Sequence, residues 1–128
     1  MTSSTRWITL AAGLLGLTGV ALGAFGAHAL KSSLAESGHT GTWQTAVLYH
    51  LVHSVALLAL AGWRDAHAGP STKAAVCWII GIFLFSGSLY WLSLGGPRLL
   101  GPVTPLGGVA LLAGWALVAA SAWKRPAA

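Results

Sequence analysis

A chain of 128 residues with 55% apolar and 7% charged side chains, and a mean hydropathy of +0.74, is not a soluble domain, because soluble domains carry about 25% charged residues. Its net charge of +5 comes from seven Lys/Arg against two Asp/Glu. These cations sit at the ends of apolar segments, where they set topology and meet lipid headgroups rather than nucleic acid. A lone cysteine, Cys77, excludes an intramolecular disulfide and a cysteine-based zinc site.

Residues 1–5 read as a short polar tail. The first apolar segment covers residues 7–30, more than the about 20 residues a helix needs to cross a bilayer core. Arg6, the apolar run and Ala27-His28-Ala29 imitate a secretory signal. Signal-peptide cores run to about 7–15 residues, so a retained helix is expected. Residues 32–42 (SSLAESGHTGT) are polar and read as a loop whose first half can form a helical turn on the membrane surface.

The second helix is expected over residues 43–63, and a loop over residues 64–72, where Gly69-Pro70 breaks the helix and Ser71 or Thr72 caps the next one. The third helix is expected over residues 74–95 and stops at Gly95-Gly96-Pro97; residues 98–105 lie at the interface. The fourth runs over residues 103–123 and ends at Lys124-Arg125-Pro126. Together these spans make residues 1–128 a single membrane domain, an all-α integral membrane protein built as an antiparallel four-transmembrane-helix bundle.

With an even number of crossings both termini and the central loop share one side. That side holds five cations (Arg6, Arg64, Lys73, Lys124, Arg125) and the other two (Lys31, Arg98). The positive-inside rule favours both termini in the cytoplasm, or the equivalent compartment of an organelle, and the expected location is the cytoplasmic (inner) membrane. Trp7, Trp63 and Trp123 then form the inner aromatic belt, and Trp43 and Trp91 the outer one.

Small residues govern helix packing in lipid. Gly16, Gly19, Gly23 and Gly26 recur at helical spacing on the first helix, and Ala110 and Gly114 do so on the fourth. They form either a dimerisation face or, by preference, contacts within the bundle.

The second helix holds most of the polar groups. His50 and His53 lie about 60° apart on one face, and polar side chains in a membrane helix turn toward protein. His50 is seven residues beyond Trp43, roughly 10 Å along the axis. Ser86, Ser88 and Tyr90 on the third helix fall at similar depth, with His28 and Thr104 on the same side. The candidate cluster is therefore His28, Tyr49, His50, His53, Ser86 and Tyr90, in the outer half of the membrane. Its preferred role is hydrogen bonding that fixes helix register. Alternatives are a small-ligand or lipid-headgroup site, a proton or ion pathway, and a metal or haem site with His28, His50 and His53 as nitrogen ligands. No cofactor is expected, since no membrane-embedded carboxylate or thiol supports those histidines. Enzyme motifs are missing too: Glu36 and Asp65 fall in opposite loops, and no nucleophile elbow or phosphate loop is visible.

Several blocks also occur in a recognisable order. They are Gly23-Ala24-Phe25-Gly26-Ala27-His28-Ala29-Leu30-Lys31, then Trp43-x-Thr45-Ala46-Val47-x-Tyr49-His50-x-x-His53, then Phe85-Ser86-Gly87-Ser88-Leu89-Tyr90, then Thr104-Pro105-Leu106-Gly107-Gly108 and Gly114-Trp115. In these the chain resembles the small membrane proteins of domain-of-unknown-function family 423, the YgdD-like and transmembrane protein 256-like group. The resemblance implies a four-helix integral membrane protein without an established activity. The expectation is thus a structural or small-ligand/lipid-binding membrane component, with membrane lipids and a possible homo-oligomer as partners. A small oligomeric transporter or channel is the alternative.

Overall fold

The computed structural model describes residues 3–66 and 72–123. The expected central break at Gly69-Pro70, the cap at Ser71 and the stop at Lys124-Arg125-Pro126 lie outside the described residues. Helix α1 spans Ser3–Ala27, α2 Lys31–Ser37 and α3 Thr40–Ala66. The third span is composite: α4 (Thr72–Gly81), a π-helical turn (Ile82–Ser86) and α5 (Gly87–Ser93). A 3₁₀ turn at Arg98–Leu100 leads into α6, Val103–Trp123. Four stretches are long and apolar enough to cross a membrane: Thr5–Ala27, Thr40–Trp63, Thr72–Ser93 and Arg98–Trp123. The chain is an all-α, multi-pass membrane protein.

Helix boundaries follow local chemistry. The expected N-terminal tail is instead helical from Ser3, and Thr5 is buried. Two Schellman motifs end α2 and α5. At the first, Gly38 takes φ 73°, Gly38 N–H bonds to Ala35 O (3.2 Å) and His39 N–H to Leu34 O (2.9 Å). At the second, Gly95 takes φ 85°, Gly95 N–H bonds to Leu92 O (3.2 Å) and Gly96 N–H to Trp91 O (2.8 Å). Both positions need the left-handed backbone that glycine adopts without strain. Helix α3 starts three residues before Trp43 because Trp43 N–H already bonds to His39 O, at 3.0 Å.

Helix α1 packs chiefly along α3, and α6 along α4 and the π turn, while α3 and the third span share the centre. The apolar core lies in the half nearest the start of α1, formed by Ile8, Ala12, Leu57, Leu60, Ala61, Ala74, Ala75, Trp78, Ile82 and Leu111. Glycines set the helix approach. A Cβ at Gly26 would strike the Trp43 indole, one at Gly114 the Trp78 indole, and one at Gly107 the backbone of Phe85. Gly19 and Gly23 likewise face α3, at Leu51 and Val47. These glycines serve contacts inside the chain. Gly16 does not join them: nothing lies within 4 Å of its added Cβ. Outward, the helices present residues such as Leu10, Leu17, Val52, Val55, Val109 and Leu112, the apolar surface that lipid requires.

Candidate functional site

The half of the spans nearest α2 holds the polar groups. His50, on α3, is 5% exposed. Its Nδ1 lies 3.0 Å from the Tyr90 hydroxyl, and its Nε2 lies 3.4 Å from Thr18 Oγ1. The Thr18 hydroxyl also sits 3.0 Å from Leu14 O and 3.1 Å from Leu15 O. Its single proton is thus drawn to its own helix. The consistent tautomer has Nε2–H directed at Thr18 and Nδ1 accepting from Tyr90 O–H. Tyr90 is held in turn by Trp43, whose ring centroid lies 4.8 Å away. Trp43 was expected in an aromatic belt, but it is only 3% exposed, and Nε1–H donates to Leu22 O at 3.0 Å. The missing side chain of Gly26 makes the room for that indole.

His53 has other neighbours. Its Nδ1 lies 2.7 Å from Tyr49 O, a carbonyl that only accepts, so Nδ1 carries the hydrogen. Nε2 then accepts from Trp115 Nε1–H at 3.0 Å. Trp78 and Trp115 pack edge-on to the ring at centroid distances of 6.1 and 6.0 Å, and Tyr49 stacks at 6.2 Å.

Between the two histidines the π turn brings Ser86 against α3. Ser86 is fully buried and donates to Ala46 O at 2.8 Å. Two residues on, Ser88 Oγ bonds to Phe85 O (2.9 Å) and pairs with Thr104 Oγ1 (2.6 Å), tying α5 to the start of α6. A π turn inserts an extra residue and frequently marks a functional position in a helix. Here it brings Ser86 to α3 and Phe85 to Gly107 of α6.

The expected single cluster is therefore two. One cavity of about 360 Å³ lies between α1 and the third span, lined by Leu14, Leu15, Thr18, Leu22, His50, Ile82, Phe83, Gly87 and Tyr90. Another, of about 370 Å³, lies between α3 and α6 with Tyr49, His53, Phe85 and Trp115 in its wall. The rotation of about 60° between positions three apart turns His50 to the first cleft and His53 to the second. Tyr49 is largely exposed, at 41%, although its backbone and ring serve His53. His28 stands apart, exposed in the turn after α1. Among the described residues no group of three His, Cys, Asp or Glu comes together that could hold a metal ion. The lone pair of His50 Nδ1 faces Tyr90 and that of His53 Nε2 faces Trp115. The histidine trio proposed from sequence for metal or haem is thus not assembled. Thr18 and Trp115 are the partners that sequence reasoning missed. Thr18 is the one hydroxyl amid the apolar middle of α1, which is a signal of its own.

Such an arrangement defines a multi-pass helical membrane protein with a mainly apolar half and a half rich in hydrogen bonds between helices. The chain belongs to the family described as "Protein of unknown function (DUF423)", whose model matches residues 22–108. It is 40% identical over 110 residues to the UPF0382 membrane protein YwdK of Bacillus subtilis (strain 168), covering 84% of this chain and 89% of that one. The UPF0382 inner membrane protein YgdD of Escherichia coli (strain K12) is 40% identical over 116 residues, 90% of this chain and 88% of its own. A UPF0382 membrane protein of Schizosaccharomyces pombe is 38% identical over 110 residues, 82% and 92% respectively. No solved structure matches.

Proposed function

We propose that this protein is a binding component of the membrane, taking a small lipid-soluble molecule into the lateral cleft between α1 and the third span. The observation that carries the reading is the cleft itself. Its walls are apolar, its floor is the buried His50 with the half-buried Tyr90, and a Cβ at Gly87 in its lining would meet nothing within 4 Å. Ligand sites typically have this make-up, with mostly apolar walls, a few placed polar groups and about 300–1,000 Å³. The hydrogen bonds of His50, His53, Ser86 and Ser88 also serve a structural end, since they pin the register of α1, α3, α5 and α6.

Transport finds less support. The opposite half is built largely on the apolar core around Leu57, Leu60, Trp78 and Leu111, and the described residues there supply few polar side chains to an ion. Metal or haem chemistry would require His53 to surrender Trp115, and His50 to surrender Tyr90 or Thr18. We read the chain as no enzyme, and as lying in the cytoplasmic membrane with both termini inside. The orientation rests on the five-to-two cation asymmetry, and the compartment on the name of the E. coli relative, an inner membrane protein.

Native mass spectrometry of gently purified protein, paired with organic extraction, tests the binding reading. Wild type should carry a small lipophile at up to one per chain, and Gly87→Leu, which fills the cleft, should lack it. Equal recovery from both proteins, or none from wild type, would overturn it.

A further inference from the structure

The same cleft restricts the chemistry of what it can hold, and the following step rests on the binding reading above. His50 lies ten residues beyond Thr40, where the span begins, about 15 Å into it. A phosphate or ammonium headgroup stays at the interface, because a charge at that depth is costly without a counter-charge. The cleft supplies none: no charged side chain lines it. The described cations nearest that end, Lys31 on α2 and Arg98 on the 3₁₀ turn, are exposed and form no part of its wall. An anionic or cationic head at the floor would be unpaired.

The floor does offer hydrogen bonding, of two opposite kinds. With Tyr90 O–H given to His50 Nδ1, the tyrosine oxygen keeps lone pairs and accepts from a ligand hydroxyl. If the ring proton of His50 sits instead on Nδ1, that N–H donates to the Tyr90 oxygen and Tyr90 O–H is released toward a ligand carbonyl. Thr18 then turns its proton from Leu14 O to His50 Nε2, across the 3.4 Å separation. Both states are neutral and every proton is accounted for. The floor therefore matches a neutral oxygen, as donor or as acceptor, at a depth where only neutral heads reside. Leu14, Leu22 and Phe83 on the walls suit an alkyl or isoprenoid tail.

We propose that the cleft between α1 and the third span binds a neutral lipophile with an oxygen head, a hydroxyl or a ring carbonyl, on a single apolar tail. The head bonds to Tyr90 and the tail lies along α1.

The probes are farnesol (hydroxyl), a decyl-substituted benzoquinone (carbonyl) and palmitate (carboxylate), each titrated into the full chain in nanodiscs held at a pH where palmitate is ionised. At least one neutral probe should bind more than about ten-fold tighter than palmitate. Tyr90→Phe keeps the ring against Trp43 and should weaken that probe by about three- to ten-fold, the worth of one hydrogen bond. Gly87→Leu should abolish it. Which neutral probe binds identifies the source, and either one sustains the proposal. Palmitate binding as tightly as both neutral probes would overturn it, as would a neutral probe indifferent to Tyr90→Phe. If Gly87→Leu still removes a co-purified lipid, such a result condemns the ligand class alone. If none of the probes binds and no lipid co-purifies, the binding reading falls with it.

Discussion

His50 and His53 stand three residues apart on one helix, and that small separation gives them different tasks. His50 joins α3 to Tyr90 of α5 and Thr18 of α1, whereas His53 joins α3 to Trp115 of α6. Hydrogen bonds between membrane helices average about 0.6 kcal/mol and reach about 1.7. His50→Leu should therefore destabilise the fold by about 1–2 kcal/mol, measured by unfolding in detergent. Trp115→Phe should cost less through hydrogen bonding, about 0.6 kcal/mol by the same average, plus the loss of indole packing on Trp78. A combined His53→Leu/Trp115→Phe change should be less than additive, because both remove the same bond. Strict additivity would mean the pair is not coupled. Periodicity alone turns both rings inward, and both are at most 5% exposed. It could not say which neighbour each would meet. That depends on where α1 and α6 stand around α3, which is a matter of glycine placement far along the chain.

Among the elements, the third span departs furthest from a plain helix. Its π turn at Ile82–Ser86 (IFLFS) has no proline to announce it, and its one polar residue, Ser86, comes at its end. Helix α6 packs directly against it. Gly107 sits so close that its added Cβ would strike the Phe85 backbone, whereas one at the adjacent Gly108 would meet only the Phe85 ring, at 3.8 Å. Gly107→Ala should lower the melting temperature by several degrees, the scale of about 1–3 kcal/mol for overpacking. Gly108→Ala should leave it unchanged or raise it slightly, because alanine is favoured over glycine in a helix. Equal effects from the two would place α6 elsewhere. Span ends show where sequence suffices. For α6, the expected start at residue 103 agrees with Val103, since Pro105 suits the first turn of a helix. For α3 the apolar run marks Trp43, but the hydrogen-bonded helix begins at Thr40, because Trp43 N–H already bonds to His39 O and backbone hydrogen bonding is not limited to apolar residues.

At the scale of the molecule the two halves are unlike. One is a close-packed apolar core built on Ile8, Leu57, Trp78 and Leu111, and the other is held by side-chain hydrogen bonds around two clefts. That division was legible in the sequence, because Thr, Tyr, His and Ser residues of successive segments fall at one depth. The clefts were not, since a void between helices has no residue of its own. The proposed orientation rests on charge: a reporter fused after Ala128 should be active only in its cytoplasmic form, and an external C-terminus would reverse the assignment of outer and inner halves. The central claim, that the His50–Tyr90 cleft is an occupied lipid-soluble-ligand site, is met most directly by electron cryomicroscopy of the protein in nanodiscs, rigidified by a bound antibody fragment. The account predicts elongated density between Leu14, Gly87 and Phe83, its head within hydrogen-bonding distance of the Tyr90 hydroxyl. A cleft closed by α1 resting against α5, with no density between them, would contradict it.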